Sequence, residues 1–303
     1  MALFSGPLPL VPPSTRRSGD GQGAGPSVVA LGGGHGLSAS LSALRLLTQE
    51  LTAVVTVADD GGSSGRLRRE LGVLPPGDLR MALAALCDDT DWGRTWRDVM
   101  QHRFTSREGE GSLDQHAMGN LLIVTLWELL GDPVAGLQWA GALLGARGRV
   151  LPMAGVPLTI EGDVLSEADG SLRVRTVTGQ AGLAVAAAGG NVSSVRLLPE
   201  LSDALCRTSA RRCLTMNLSN DTKETQGMTA VDHLGVISRY APDLTFDVVL
   251  ADPSVVGDHA AFERAVEGLG GRAVFGTVGA STGKPVHDPL RLATSYNDMF
   301  GEN

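Results

Sequence analysis

Between Ser27 and Arg69 the chain carries two strand-turn-helix units in succession, and both turns are built from glycine. In the first, the apolar run Val28-Val29-Ala30-Leu31 enters Gly32-Gly33-Gly34-His35-Gly36, after which Leu37, Leu41, Leu44 and Leu47 recur at helical spacing. In the second, Ala53-Val54-Val55-Thr56-Val57-Ala58 enters Asp59-Asp60-Gly61-Gly62-Ser63-Ser64-Gly65, and a basic segment follows. Parallel strands that end in such turns confine the chain to an α/β fold. Glycine lets main-chain N–H groups converge on an anion, so the carboxyl edge of the sheet is the expected place for a phosphate-bearing ligand.

The remainder of the chain supports that class. Its 303 residues are 43% hydrophobic and 19% charged, enough to bury a large core as one big α/β domain or two coupled ones. A net charge of −8, with no Lys/Arg-rich run carrying interleaved aromatics, argues against a nucleic-acid scaffold. Cys87, Cys206 and Cys213 have neither metal-ligand nor disulfide spacing, sit in apolar or helical surroundings and read as buried free thiols of a reducing cytoplasm. Residues 1–26, rich in Pro, Gly and Ser, read as a flexible tail, with one α/β domain over 27–303. The apolar stretch Leu121 to Leu130 is interrupted by Glu128 and too short to span a bilayer. Helices are expected from Leu79 to Cys87 with Asp78 as N-cap, around Trp92 to Phe104, and from Leu121 to Leu130, the last apolar on nearly every face and therefore buried. From about 147 to 199 short β runs separated by Asp169-Gly170 and Gly189-Gly190-Asn191 predict a small antiparallel insertion. The α/β alternation resumes after it, with strands at Arg212 to Leu218, Phe246 to Ala251 and Arg272 to Phe275.

Several residues are candidates for chemistry. Gly32 to Gly36 is a partial dinucleotide fingerprint, since Gly32 and Gly34 fit G-x-G but Leu37 occupies the third glycine position; the loop, with Gly33, Gly34, His35 and Gly36 as candidate ligand residues, is either a phosphate cradle or a tight turn. Asp59 and Asp60 end a strand where a Rossmann acid would meet a ribose; the same pair suits Mg²⁺, or forms an Asx-turn that caps local amides. Gly61, Gly62, Ser63 and Ser64 continue the loop, and Arg66, Arg68 and Arg69 can clamp a phosphate. His116 and Asn120 stand one helical turn apart at the start of the apolar helix, fitting either a site or a satisfied core. Asn217, Glu224 and Thr225 sit at a second carboxyl edge, and His233 follows Asp232 inside a helix. No Ser-His-Asp, Cys-His or zinc spacing is present.

At these residues a family pattern becomes specific. The run Val54-Val55-Thr56-Val57-Ala58-Asp59-Asp60-Gly61-Gly62-Ser63-Ser64-Gly65-Arg66-Leu67-Arg68, together with Pro75-Pro76-Gly77-Asp78-Leu79-Arg80, His116-x-x-Gly119-Asn120 and Arg147-Gly148-Arg149-Val150-Leu151-Pro152, resembles the gluconeogenesis factor family. That family lies within the CofD-like group, proteins similar to phospholactate transferase. Asn217-Leu218, Glu224-Thr225 and Thr229-Ala230-x-Asp232-His233 also match, so the resemblance runs from about Val28 to Asp288. It implies a Rossmann-like, mostly parallel sheet flanked by helices. It further implies a cytoplasmic protein, without a membrane span or nucleic-acid partner, that binds UDP-N-acetylglucosamine. Cell shape and cell-wall precursor supply on gluconeogenic carbon are the implied role, with cell-wall enzymes or further copies of the chain as candidate partners. No catalytic reaction is implied.

Three departures stand out. His35 occupies a position that is threonine in many relatives, and Met228 one that is commonly tyrosine. Asn220 to Thr225 lacks the Pro-Gly that usually precedes Glu-Thr. At Pro199-Glu200-Leu201 relatives have a helix, a strand and a Gly-Pro-Gly-Ser loop, so a segment is expected to be missing between Glu200 and Leu201. Two functions compete: a nucleotide-sugar-binding regulator, and a Mg²⁺-dependent transferase of a phosphorylated small molecule. The Gly-Gly-Ser-Ser-Gly-Arg loop follows the gluconeogenesis factor pattern and favours the regulator, and a nicotinamide dehydrogenase ranks third.

Overall fold

A computed structural model describes residues 25–107, 109, 111–158, 161–168, 171–178, 199–219, 227–281 and 284–301. They divide into two compact units, one running to Leu158 and including the chain from Tyr296 onward, the other from Thr159 to Ser295. Both are α/β with parallel sheets.

The first unit contains β1 (Val28–Gly32), α1 (Gly34–Leu44), β2 (Leu51–Val55), α2 (Gly62–Leu71), α3 (Gly77–Leu86), α4 (Asp91–Gln101), α5 (Met118–Leu130), α6 (Pro133–Leu144) and β3 (Arg149–Pro152). The strand order is β1-β2-β3, all parallel, with Val28 opposite Leu51 and Thr52 opposite Arg149. Central β2 alternates, burying Leu51, Ala53 and Val55, as a strand with one face in the core must. Against that core lie Leu37, Leu41 and Leu44 of α1 and Leu79, Leu83 and Leu86 of α3. Burial of a leucine contributes about 2 kcal/mol, so these two helices anchor the sheet.

Several expectations are corrected here. Arg149 to Pro152, assigned to the antiparallel insertion, pairs parallel with β2 and closes the main sheet. Among the described residues of the expected insertion, β4 (Glu161–Ala168) and β5 (Ser171–Thr178) pair antiparallel, as a two-stranded hairpin with Ala168 opposite Ser171. Residues 159–160, 169–170 and 179–198 of the expected insertion lie outside the described residues. Asp78 is not the N-cap of α3; it stands in the first turn, behind Pro76 at the cap. Helix α5 is buried along one face rather than all round: Ile123, Val124 and Trp127 are covered, while Leu129 is 64% exposed. Helix α6 was not anticipated, although Asp132 caps it through the N–H groups of Val134 and Ala135, with Pro133 beginning it and Gly145 ending it.

The second unit continues with α7 (Pro199–Arg207), β6 (Cys213–Thr215), α8 (Ala230–Tyr240), β7 (Val248–Ala251), α9 (His259–Gly268), β8 (Arg272–Phe275) and α10 (Pro289–Gly301), which ends in the first unit. The order β6-β7-β8 is again parallel. Every residue of β7 is buried, packed with Leu234, Phe262 and Val266. Glu200 and Leu201 are consecutive residues inside α7. No helix among the described residues is long and apolar enough to cross a membrane.

Candidate functional site

At the carboxyl ends of β1 and β2, the starts of α2, α3 and α5 surround a cavity of about 240 Å³. Its lining includes Asp59, Gly61, Gly62, Ser63 and Ser64 from the second glycine loop, Gly77, Asp78, Arg80 and Met81 from α3, Arg103, and Asn120 from α5. The second loop is therefore the cavity's main wall. Gly61, at the N-cap of α2, has no side chain to cap it. The first-turn N–H groups are left for an anion or water, at the end of the helix where the dipole favours negative charge.

The first loop has a different task. A Cβ on Gly33 would lie 2.1 Å from the Thr56 hydroxyl oxygen and 2.3 Å from an Asp78 carboxylate oxygen, so the absence of a side chain admits α3 rather than a ligand. Asp78 accepts hydrogen bonds from Thr56 Oγ1 at 2.8 Å and from the Gly34 N–H. Gly33, Gly34, His35 and Gly36 do not line the cavity, and His35 is exposed.

Two carboxylates meet at the cavity: Asp59 and Asp78. Burial raises the Asp78 carboxyl above its ordinary range against the Thr56 hydrogen bond, and the charge of Asp59 raises it further. Asp59 also accepts from the Gly61 N–H at 2.9 Å, the Asx-turn foreseen for it, while it lines the cavity. Asp60, its sequence neighbour, does not line the cavity, and its carbonyl accepts from Arg69. Among the described residues no group of three or more His, Cys, Asp or Glu gathers as a metal cluster. The pair Asp59 and Asp78 is nevertheless a suitable donor set for Mg²⁺, which takes one or two carboxylates and completes its octahedron with ligand and water oxygens.

Behind the cavity wall lies a directed hydrogen-bond chain. Arg80 Nε donates to Asn120 Oδ1 at 3.0 Å, which leaves Asn120 Nδ2 to donate to Ser63 Oγ, also at 3.0 Å. Ser63 Oγ further accepts from the Ala117 N–H at 3.3 Å, so its single proton goes to His116 Nδ1 at 3.0 Å. His116 is accordingly neutral, with its proton on Nε2. Burial lowers its pKa from 6.5 in support, and the charge of Arg66 lowers it further. His116 is 4% exposed and Asn120 1%; of the two, only Asn120 lines the cavity.

The expected arginine clamp is absent from the lining. Arg66 donates to the Asp114 carbonyl, Arg68 to that of Ala58 and Arg69 to that of Asp60, tying loops together. The guanidinium groups that do line the cavity belong to Arg80 and Arg103. Arg80 stands in the Pro75 to Arg80 motif without having been a candidate site residue, and no signal marked Arg103. In the second unit Asn217 is exposed just beyond β6, and His233 bonds the Thr229 carbonyl at 2.8 Å at the start of α8. Glu224 and Thr225 lie outside the described residues.

Comparison with known proteins gives three concordant findings. The family model described as 2-phospho-L-lactate transferase CofD matches residues 28–181, a span that takes in every residue lining the cavity. A "Putative gluconeogenesis factor" of Mycobacterium leprae is 44% identical over 318 residues, covering 91% of this chain and 87% of the relative. The "Gluconeogenesis factor" of Bacillus subtilis is 30% identical over 264 residues, covering 78% of this chain and 81% of the relative. A crystal structure of a UPF0052 family member from Bacillus halodurans aligns with a TM-score of 0.73 at 25% identity, covering 91% of this chain and 99% of that one. The Mycobacterium leprae alignment spans 318 positions against 91% of a 303-residue chain, so the relative carries residues within the aligned span that have no counterpart here.

Proposed function

This chain belongs to the CofD-like gluconeogenesis factor family, and on that premise we propose that it binds a nucleotide sugar, UDP-N-acetylglucosamine, beside the second glycine loop. In this reading it is a cytoplasmic ligand-sensing regulator of cell shape and cell-wall precursor supply during gluconeogenic growth, acting through cell-wall enzymes or further copies of itself. The observation that carries the reading is the cavity, whose lining brings together the start of α2, Ser63 and Ser64, the guanidiniums of Arg80 and Arg103, and the carboxylates of Asp59 and Asp78. Such a set suits a phosphate-bearing ligand that arrives with Mg²⁺, held by Asp59 and Asp78. His116 accepts from Ser63 and does not itself line the cavity.

A second reading is favoured by the matched family model and the paired carboxylates: a Mg²⁺-dependent transferase of a phosphorylated small molecule. Calorimetric titration with UDP-N-acetylglucosamine, other UDP- and GDP-sugars and NAD, each with and without Mg²⁺, separates the readings. Selective, Mg²⁺-enhanced binding of the UDP-sugar without turnover supports the regulator; consumption of a phosphorylated donor in the presence of an acceptor supports the transferase. We place the residues that relatives have in excess between Glu200 and Leu201, and sequencing the gene across that junction tests the placement.

A further inference from the structure

We propose that Arg80 and Arg103 form a phosphate-receiving wall, so that this cavity takes the charged phosphoryl group of a ligand and not its sugar or base. The inference rests on the nucleotide-sugar reading for the identity of the whole ligand, but the anion site stands on its own geometry.

Arg80 is 4% exposed, yet no carboxylate lies within ion-pair distance of it among the described residues. Its guanidinium instead donates to two neutral amides, Nε to Asn120 and Nη1 to Gln101, leaving Nη2 without a partner among the described residues. Burying an unpaired charge is costly, and a second positive charge close by raises the cost. That second charge is Arg103, whose Nη1 holds the Gln115 carbonyl at 2.9 Å and which lines the same cavity. Burial, and then the charge of Arg103, lower the Arg80 pKa to about 10, with Asp78 opposing. Arg80 remains cationic at neutral pH, so the repulsion persists until an anion relieves it.

Shape and charge decide which anion. The guanidiniums of Arg80 and Arg103 attract negative groups into the cavity, whereas Asp59 and Asp78 in the same lining repel them unless a cation intervenes. That mixture of charges fits a phosphate with its own divalent cation: oxygens to the arginines, metal to the carboxylates. A volume of about 240 Å³ lies just below the ~300–1,000 Å³ that encloses a whole small ligand, so it accommodates a phosphate or diphosphate.

The test uses the full chain and four probes, each with Mg²⁺: pyrophosphate, UDP, UDP-N-acetylglucosamine and uridine. Arg103→Gln alters an exposed side chain, so folding is preserved; Arg80→Lys keeps the charge but loses the fork. We expect each variant to weaken the tightest-binding phosphate-bearing probe at least 10-fold, and to leave any binding of uridine unchanged. Equal affinity of wild type and Arg103→Gln for that probe overturns the proposal, whether or not Arg80→Lys folds. Binding of UDP-N-acetylglucosamine that is indifferent to both arginines rejects the phosphate wall while sparing the nucleotide-sugar reading. Arginine-dependent binding of pyrophosphate with none of UDP-N-acetylglucosamine does the reverse, and no binding of any phosphate probe rejects both.

Discussion

Carboxylates stand beyond the central strands of the two parallel sheets, and the two regions use them in opposite ways. Beyond β7, Asp252 accepts four hydrogen bonds: from the N–H and hydroxyl of Ser254 at 3.0 and 2.7 Å, and from the N–H groups of Val278 and Gly279 at 2.8 and 2.9 Å. Burial opposes its ionisation, yet these donors outweigh burial and hold the carboxyl below its ordinary range. Beyond β2, Asp59 and Asp78 face a cavity, and Asp78 is raised instead. A carboxylate whose acceptor capacity is filled from its own chain is a structural tie. One that retains capacity towards open space, against a like charge, is equipped to receive something.

That contrast can be broken in graded steps. The largest effect belongs to Asp252→Ala, which takes the acceptor from the buried N–H of Val278 and from the N–H groups of Ser254 and Gly279. We expect about 3 kcal/mol of lost stability, an unfolding midpoint lower by roughly 5–10 °C, and unchanged ligand affinity per folded molecule. Calorimetric melting and titration check both halves, and a loss of affinity alone would erase the distinction. Next comes Gly33→Ala, whose methyl group would overlap Thr56 and Asp78. About 2 kcal/mol of destabilisation, with weakened Mg²⁺-dependent binding through a displaced Asp78, is expected. Third, Asp59→Asn should reduce Mg²⁺-dependent binding about tenfold, roughly 1.4 kcal/mol, while Asp60→Asn should leave it unchanged. Because the Asp78 pKa is raised, its neutral form persists to higher pH than an ordinary carboxyl. Mg²⁺-dependent affinity should therefore fall on acidification already above the usual carboxylate range, and an affinity flat down to that range contradicts the assignment.

The smallest effect concerns the histidines. His116 in the first unit and His287 in the second both have lowered pKa values, each chiefly through burial. A lowered histidine pKa means that the unfolded chain binds the proton more readily. The stability it confers is complete above about 6.5 and declines as pH falls from there through the folded value. His116→Gln should remove only part of that decline, with His287 supplying the rest. Nitrogen NMR shifts should report an unprotonated Nδ1 on His116 at neutral pH.

Local signals in the chain announced β1, β2 and the second loop, because an apolar strand running into glycines is a short-range pattern. Helix α6 escaped notice although Asp132, Pro133 and Gly145 mark both of its ends, since its small and apolar residues show no clear polar face. The site itself was legible only in part. Asp59 and Asp60 are neighbours in sequence, but adjacent residues point in different directions, and the partner that Asp59 meets in space is Asp78, from another helix. Arg80 and Arg103 converge on the cavity only after α3 and α4 have packed, and no spacing rule anticipates that. One α/β domain was expected from the alternation, and the contacts of the described residues fall into two units, each with its own parallel sheet.

The chain of donors from Arg80 through Asn120 and Ser63 to His116 also has a genetic consequence. Asparagine and aspartate codons differ by a single base. An aspartate at position 120 would accept from Arg80 with one oxygen and claim the Ser63 proton with the other, turning the hydroxyl away from His116. It would also neutralise the guanidinium from within the protein. A single base change at position 120 is thus enough to give an internally balanced pocket.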